Sequence, residues 1–87
     1  MSLLMAFQLS FAQKTVSGTV TDDNSVPLPG ATVIVEGTSN GVTTDFDGNY
    51  SISASEGDVL VVSFVGYSTG SATVGASSTL NFSLSPS

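Results

Sequence analysis

Thr15-Val16-Ser17-Gly18-Thr19-Val20-Thr21 is the stretch whose reading decides the fold. Val16, Gly18 and Val20 alternate with Thr15, Ser17, Thr19 and Thr21, so one strand carries an apolar face and a hydroxyl face. The branched β-carbons of Val and Thr suit the pleated surface and restrict the rotamers a helix would need. The strand ends at Asp22-Asp23-Asn24-Ser25, residues whose side chains bond their own backbone in turns.

Outward from this strand the period of two persists, with turn residues every eight to twelve positions. Pro27-Leu28-Pro29-Gly30 is a stiff connector, because neither proline can donate to a central ladder. Ala31 to Glu36 reads as the second strand, with Val33 and Val35 on one face. Gly37-Thr38-Ser39-Asn40-Gly41 closes it, the Asn-Gly pair being a hairpin signal. A short strand follows at Val42 to Thr44, then a turn at Asp45-Phe46-Asp47-Gly48 and a strand at Asn49 to Ala54 with Tyr50, Ile52 and Ala54 in phase. After Glu56-Gly57-Asp58, Val59 to Val65 is apolar on nearly both faces, the pattern of a central strand covered above and below. Gly66-Tyr67 ends or kinks it. Ser71 to Val74 and Thr79 to Leu84 complete the set, the latter with Leu80, Phe82 and Leu84 aligned. No helical period competes. The fold class expected is all-β, a seven-stranded Greek-key sandwich.

The chain of 87 residues has room for one domain. A domain of this size buries only about 60% of its unfolded surface, so its margin of stability is thin. There is no Cys to staple it and none to hold a metal as thiolate. Charged residues are 9% and hydrophobic ones 40%, which favours a packed core over disorder. Seven acids against Lys14 alone give a formal net charge of -6, a sign that repels nucleic-acid phosphates and anionic headgroups. The acids serve solubility on a surface otherwise rich in Ser and Thr.

Residues 1–13 differ from the rest. Leu3 to Ala12 is apolar and uncharged, and at ten residues too short to span a bilayer. Ser10-Phe11-Ala12 puts small residues where a signal peptidase reads, so the segment is expected to be the back half of a secretory leader cleaved after Ala12. Its basic front is missing from Met1-Ser2-Leu3, as in a leader shortened and restarted artificially. The alternative is an edge strand or helix native to the domain. If retained, Leu4, Phe7, Leu9 and Phe11 would be adhesive toward a neighbouring chain. The expected organisation is leader at 1–13, sandwich at 14–85 and the start of a linker at 86–87.

Candidate chemistry is sparse. Without His or Cys, Ser-His-Asp and Cys-His arrangements are impossible and Lys14 is alone near a terminus; a carboxylate pair of Asp45 and Asp47 would flank a turn and point into solvent, so no catalytic residue is assigned. Asp45-Phe46-Asp47-Gly48-Asn49 resembles the opening of a calcium loop, but the downstream bidentate acid is absent from its place and Asp58 does not fill it. The competing reading is a hairpin turn in which Asp accepts backbone N–H bonds and Gly48 takes positive φ. No metal or other cofactor is therefore assigned. Lys14 in the first strand and Asn81 in the last have the arrangement of an intramolecular Lys–Asn crosslink, yet Asn81 is out of phase with Leu80, Phe82 and Leu84 and belongs on the solvent side. Tyr67 and Phe46 are sugar-stacking candidates if exposed, and core or corner residues if not.

The succession Val16-Ser17-Gly18-Thr19-Val20, Pro29-Gly30-Ala31-Thr32-Val33, Gly41, Thr44-Asp45-Phe46-Asp47-Gly48-Asn49-Tyr50 and Phe64-Val65-Gly66-Tyr67 resembles the carboxypeptidase-regulatory-like domain, a sandwich of the transthyretin (prealbumin) type. More narrowly, it resembles the N-terminal extension of SusC-type TonB-dependent outer-membrane transporters. The likeness runs from about Lys14 to Leu84. It implies a non-catalytic periplasmic accessory or interaction domain of a nutrient (glycan) transporter, exported by a signal peptide to the periplasmic face of the outer membrane. The partners implied are proteins: the transporter's own plug or barrel in cis, the TonB system or a periplasmic regulator, and a SusD-like lipoprotein indirectly. Neither nucleic acid nor membrane insertion of the domain itself is implied. Transthyretin-like hydrolases exist, but they need His residues that this chain lacks. The alternative is a structural sandwich module of a secreted or surface-anchored multidomain protein, an adhesin or an exported peptidase.

Overall fold

The computed structural model describes residues 12–87. Ala12 and Gln13 are exposed and lead into the first strand; the rest of the expected leader, with its adhesive Leu4, Phe7, Leu9 and Phe11, lies outside the described residues.

Seven strands form two sheets: β1 (Lys14–Asp22), β2 (Thr32–Val35), β3 (Gly41–Thr43), β4 (Asn49–Ala54), β5 (Val59–Ser63), β6 (Gly70–Thr73) and β7 (Phe82–Leu84). One sheet has the order β4-β1-β7 and the other β3-β2-β5-β6. The pairs β2–β3 and β5–β6 are hairpins, whereas β1–β4 and β2–β5 join antiparallel strands across the chain's excursions between sheets. This is the all-β sandwich expected from the sequence. The β1–β7 pair is parallel, setting Val20 beside Phe82 and Asp22 beside Leu84.

The inward face of each strand is the one its alternation assigns. Val16 and Val20 of β1, Tyr50, Ile52 and Ala54 of β4, and Phe82 and Leu84 of β7 meet Val33 and Val35 of β2 and Leu60 and Val62 of β5. Leu28, Ala31 and Val74 close the ends of this layer. All its members are buried, and among the described residues every buried side-chain nitrogen or oxygen has a partner.

Three local expectations are corrected. The turn after β2 is made at Glu36-Gly37, with positive φ at Gly37 and Thr38 N–H donating to the Val35 carbonyl. Asn40 and Gly41 already belong to the return path, Gly41 pairing with Ile34. β5 is central in its sheet but covered on one face only, so Val59 and Val61 are part-exposed. It also stops at Ser63, because Phe64 to Tyr67 turns: Tyr67 N–H bonds the Phe64 carbonyl at 3.1 Å and Gly66 has φ 88°. Val65, expected in that strand, is 92% exposed at the turn.

The third correction concerns the last strand, which begins at Phe82 instead of Thr79. The register from Ser17–Thr79 to Val20–Phe82 is unbroken, but a side chain serves it midway. Asn81 Oδ1 accepts the Thr19 N–H at 2.9 Å, and the Leu80 carbonyl takes the Tyr50 hydroxyl. That carbonyl lies directly over Gly18, where a Cβ would come within 1.8 Å of it. Gly18 is thus required by close approach of backbone.

Candidate interaction surface

Two five-residue turns are built alike. In Asp22–Val26, Asp22 Oδ1 accepts the N–H groups of Asn24 and Val26 at 2.8 and 2.9 Å. In Asp45–Asn49, Asp45 Oδ1 accepts those of Asp47 and Asn49, both at 2.9 Å. Each turn closes with a backbone bond from its first N–H to its fifth carbonyl, and the fourth residue has positive φ, 65° at Ser25 and 76° at Gly48. Here the expected turn chemistry of Asp45-Phe46-Asp47-Gly48-Asn49 describes the geometry, but the turn is not a hairpin, because it joins β3 to β4 in different sheets. Among the described residues no three Asp, Glu, His or Cys side chains gather as a metal-binding group.

These turns occupy one end of the sandwich. The Val20 N–H bonds the Gly48 carbonyl at 2.8 Å, and a Cβ at Gly48 would meet the Val20 carbonyl and Pro27. The Gly30 N–H bonds the Thr44 carbonyl at 3.0 Å, and the Thr44 hydroxyl links the Ala31 N–H to the Leu28 carbonyl. Phe64 and Val65 share a cleft with Gly30, Thr32 and Ser63, while Phe46 borders a second cleft with Pro29, Gly30, Thr44 and Asp45. The C-terminal residues reach the same end: Pro86 bridges to Tyr67, and the Ser87 N–H bonds the Gly66 carbonyl at 3.0 Å. The three loops that carry the sequence motifs therefore converge.

Exposure within this end is uneven. Phe46 and Val65 are 93% and 92% exposed. Tyr67 is half-buried and packs on Phe64, their ring centres 5.7 Å apart, as a corner residue against the core. Asp22, Asp23, Asp45 and Asp47 all sit on these turns, whereas Lys14 is at the opposite end beside Ala54. There its Nζ donates to the carbonyls of Gly75, Ala76 and Ser77 at 2.7 to 3.2 Å. Lys14 and Asn81 are not brought together. Asn81 bonds Thr19, five residues along β1 from Lys14, or about 16 Å at strand rise.

Among the described residues Tyr50 is the one buried ionisable side chain in the core; burial pushes its pKa up to about 12, which keeps the phenol neutral as donor to Leu80.

The family model for the CarboxypepD_reg-like domain matches residues 16–87. The chain belongs to this family. Among relatives, the CarboxypepD_reg-like domain is 54% identical over 59 residues to the TonB-dependent receptor SusC of Bacteroides thetaiotaomicron, covering 67% of this chain and 6% of the receptor. It is 45% identical over 75 residues to a TonB-dependent receptor of Formosa agariphila, covering 86% of the chain and 8% of the receptor. The domain thus spans less than a tenth of the length of these relatives. Among solved structures, it is similar to a chain of a type II cohesin–X–dockerin complex from Acetivibrio cellulolyticus, with TM-score 0.61 and 25% identity over 79% of this chain and 51% of that one.

The exposed apolar pair was not assigned from sequence. The sequence leaves Phe46 as a platform or a core or corner residue and puts Val65 within a strand. A signal existed for the second: Gly as third residue of Phe64-Val65-Gly66-Tyr67 marks a turn whose second residue is the tip.

Proposed function

We propose that this domain is a non-catalytic periplasmic accessory module of a TonB-dependent outer-membrane nutrient transporter of the glycan-importing type. The observation that carries the reading is the 54% identity to SusC, with a second TonB-dependent receptor at 45%. The chemistry of the chain agrees: with no His and no Cys, Ser-His-Asp and Cys-His arrangements are impossible. On this reading residues 1–13 are the remnant of an export leader, and the domain works at the periplasmic face of the outer membrane. Its partners are proteins: the plug or barrel of its own receptor, the TonB system or a periplasmic regulator, and a SusD-like lipoprotein through the barrel. The domain contributes docking, and the energy for transport enters elsewhere.

Two measurements test this. The polypeptide encoded beyond Ser87 is expected to continue into a TonB box, a plug and a long barrel. Deleting residues 14–85 from that receptor is expected to slow growth on its nutrient while the barrel still reaches the outer membrane. Growth at the parental rate would sink the accessory role.

A second reading, a structural module of a secreted or surface-anchored multidomain protein, draws on the likeness to the cohesin–X–dockerin chain. Another sandwich or a surface-sorting signal beyond Ser87, in place of a barrel, would decide for it.

A further inference from the structure

We propose that the end of the sandwich bearing Phe46 and Val65 is a docking surface for a basic, apolar-pocketed protein surface on the remainder of the receptor polypeptide. The inference rests on the receptor reading and adds the surface and the chemistry of its partner.

The turn at Asp22–Val26 and the turn at Asp45–Asn49 share their hydrogen bonds, yet the second residue is Asp23 in one and Phe46 in the other. That position therefore makes no demand for an aromatic ring. Val65 holds the tip of the Phe64–Tyr67 turn, where the geometry is set by Gly66 and the Tyr67 N–H. Neither side chain contributes to the core, and both stand almost wholly in water. An aromatic and an aliphatic knob at one end of a domain, beside two clefts that share Gly30, form an apolar contact that folding does not explain.

Charge selects the partner. Asp22, Asp23, Asp45 and Asp47 sit on the two Asp-led turns at this end, and the chain's single Lys or Arg, Lys14, lies at the other end. A surface of this sign repels anionic lipid and acidic proteins and attracts Lys and Arg. Position selects the source. The Ser87 N–H is bonded to Gly66, one residue from Val65, so on the receptor reading the following polypeptide leaves the domain beside the knobs. A short tether would hold the partner surface at an effective concentration on the order of millimolar, so modest intrinsic affinity suffices.

The test is calorimetric titration of this chain into its own receptor body purified without residues 1–87, at low and at raised salt. Saturable binding is expected, weakened tenfold or more between 50 and 300 mM salt, as screening requires of about three or four exposed charge pairs. The double variant Phe46→Ser/Val65→Ser is expected to lose at least tenfold in affinity with an unchanged circular dichroism spectrum. Asp23→Asn/Asp47→Asn, which spares the two carboxylates that hold the turns, is expected to weaken binding and flatten its salt dependence. A control on the outer sheet face, Ile34→Thr/Val61→Thr, is expected to bind normally. The inference is overturned if the receptor body imports its nutrient but shows no binding to the chain at millimolar concentration. It is equally overturned if Phe46→Ser/Val65→Ser binds normally, or if the chain binds anionic vesicles instead. A gene with no receptor beyond Ser87 would instead remove the receptor reading itself, a result obtained before any titration.

Discussion

Ser25 and Gly48 hold the same place in twin turns, and only one of them is suited to it. Both have positive φ, 65° and 76°, in the region where a Cβ crowds the following carbonyl. Ser25→Gly is expected to stabilise the domain by about 0.5–1 kcal/mol, the relief of strain exceeding the entropy that glycine adds to the unfolded chain. For a domain of this size that is a rise of roughly 2–8 °C in Tm, read by thermal circular dichroism. An unchanged or lower Tm would mean that Ser25 is not strained. Gly18 is the opposite case. A methyl there would sit 1.8 Å from the Leu80 carbonyl oxygen, which the Tyr50 hydroxyl also holds. Gly18→Ala is expected to cost about 3 kcal/mol or more, because backbone must move to admit it. Urea unfolding of the variant measures this, and a loss under 1 kcal/mol would show the two strands sliding apart freely.

At the scale of elements, β7 shows why a strand can be in phase and still not be a strand. Leu80, Phe82 and Leu84 align as their spacing requires, but the Asn81 amide oxygen, not a carbonyl of the ladder, receives the Thr19 N–H. Asn81→Ala is expected to cost about 1 kcal/mol, the net worth of one such bond, and to speed hydrogen exchange at the Thr19 amide. Protection unchanged at Thr19 would refute the bridging role. Tyr50 links the same element to β4 through its hydroxyl, and its ring lies 6.2 Å from that of Phe82. Burial raises its pKa from 10.0 to about 12, so the folded state favours the neutral phenol. The sign follows: this stabilisation is complete below pH 10 and is lost as pH rises from 10 toward 12. Stability is therefore expected to fall over that window, and to fall less steeply in Tyr50→Phe. Equal slopes in the two proteins would count against Tyr50 as the group responsible.

The whole molecule separates a core that folding needs from an end that it does not. Leu60 and Val62 are fully buried between the sheets, and Leu60→Ala is expected to cost about 2–5 kcal/mol. Phe46→Ser and Val65→Ser, by contrast, are expected to change stability by less than about 0.5 kcal/mol each, since neither side chain is covered. Chemical denaturation of the three variants tests the contrast, and a large loss at Phe46 or Val65 would mean the end is part of the core. The strands, their inward faces and the Asp-led turns were legible in the sequence because alternation and turn chemistry act over a few residues. Val16, Val20, Tyr50 and Ile52 are buried where that alternation puts them, and Gly48 has the positive φ its turn requires. The CarboxypepD_reg-like family was legible too, in motifs that read as loops. Local pattern was silent on partners. That β1 pairs with β7 in parallel joins residues 62 apart, Val20 with Phe82, and no period of two encodes it. Only that long-range pairing explains why Gly18 must lack a Cβ and why Asn81 replaces a carbonyl. Tertiary structure likewise left one face of β5 uncovered and turned Val65 outward, because Gly66 reverses the chain before the apolar run is spent. It also gathered the motif loops at one end. Turn chemistry shapes each loop by itself, but their common neighbourhood depends on which strands the core brings side by side.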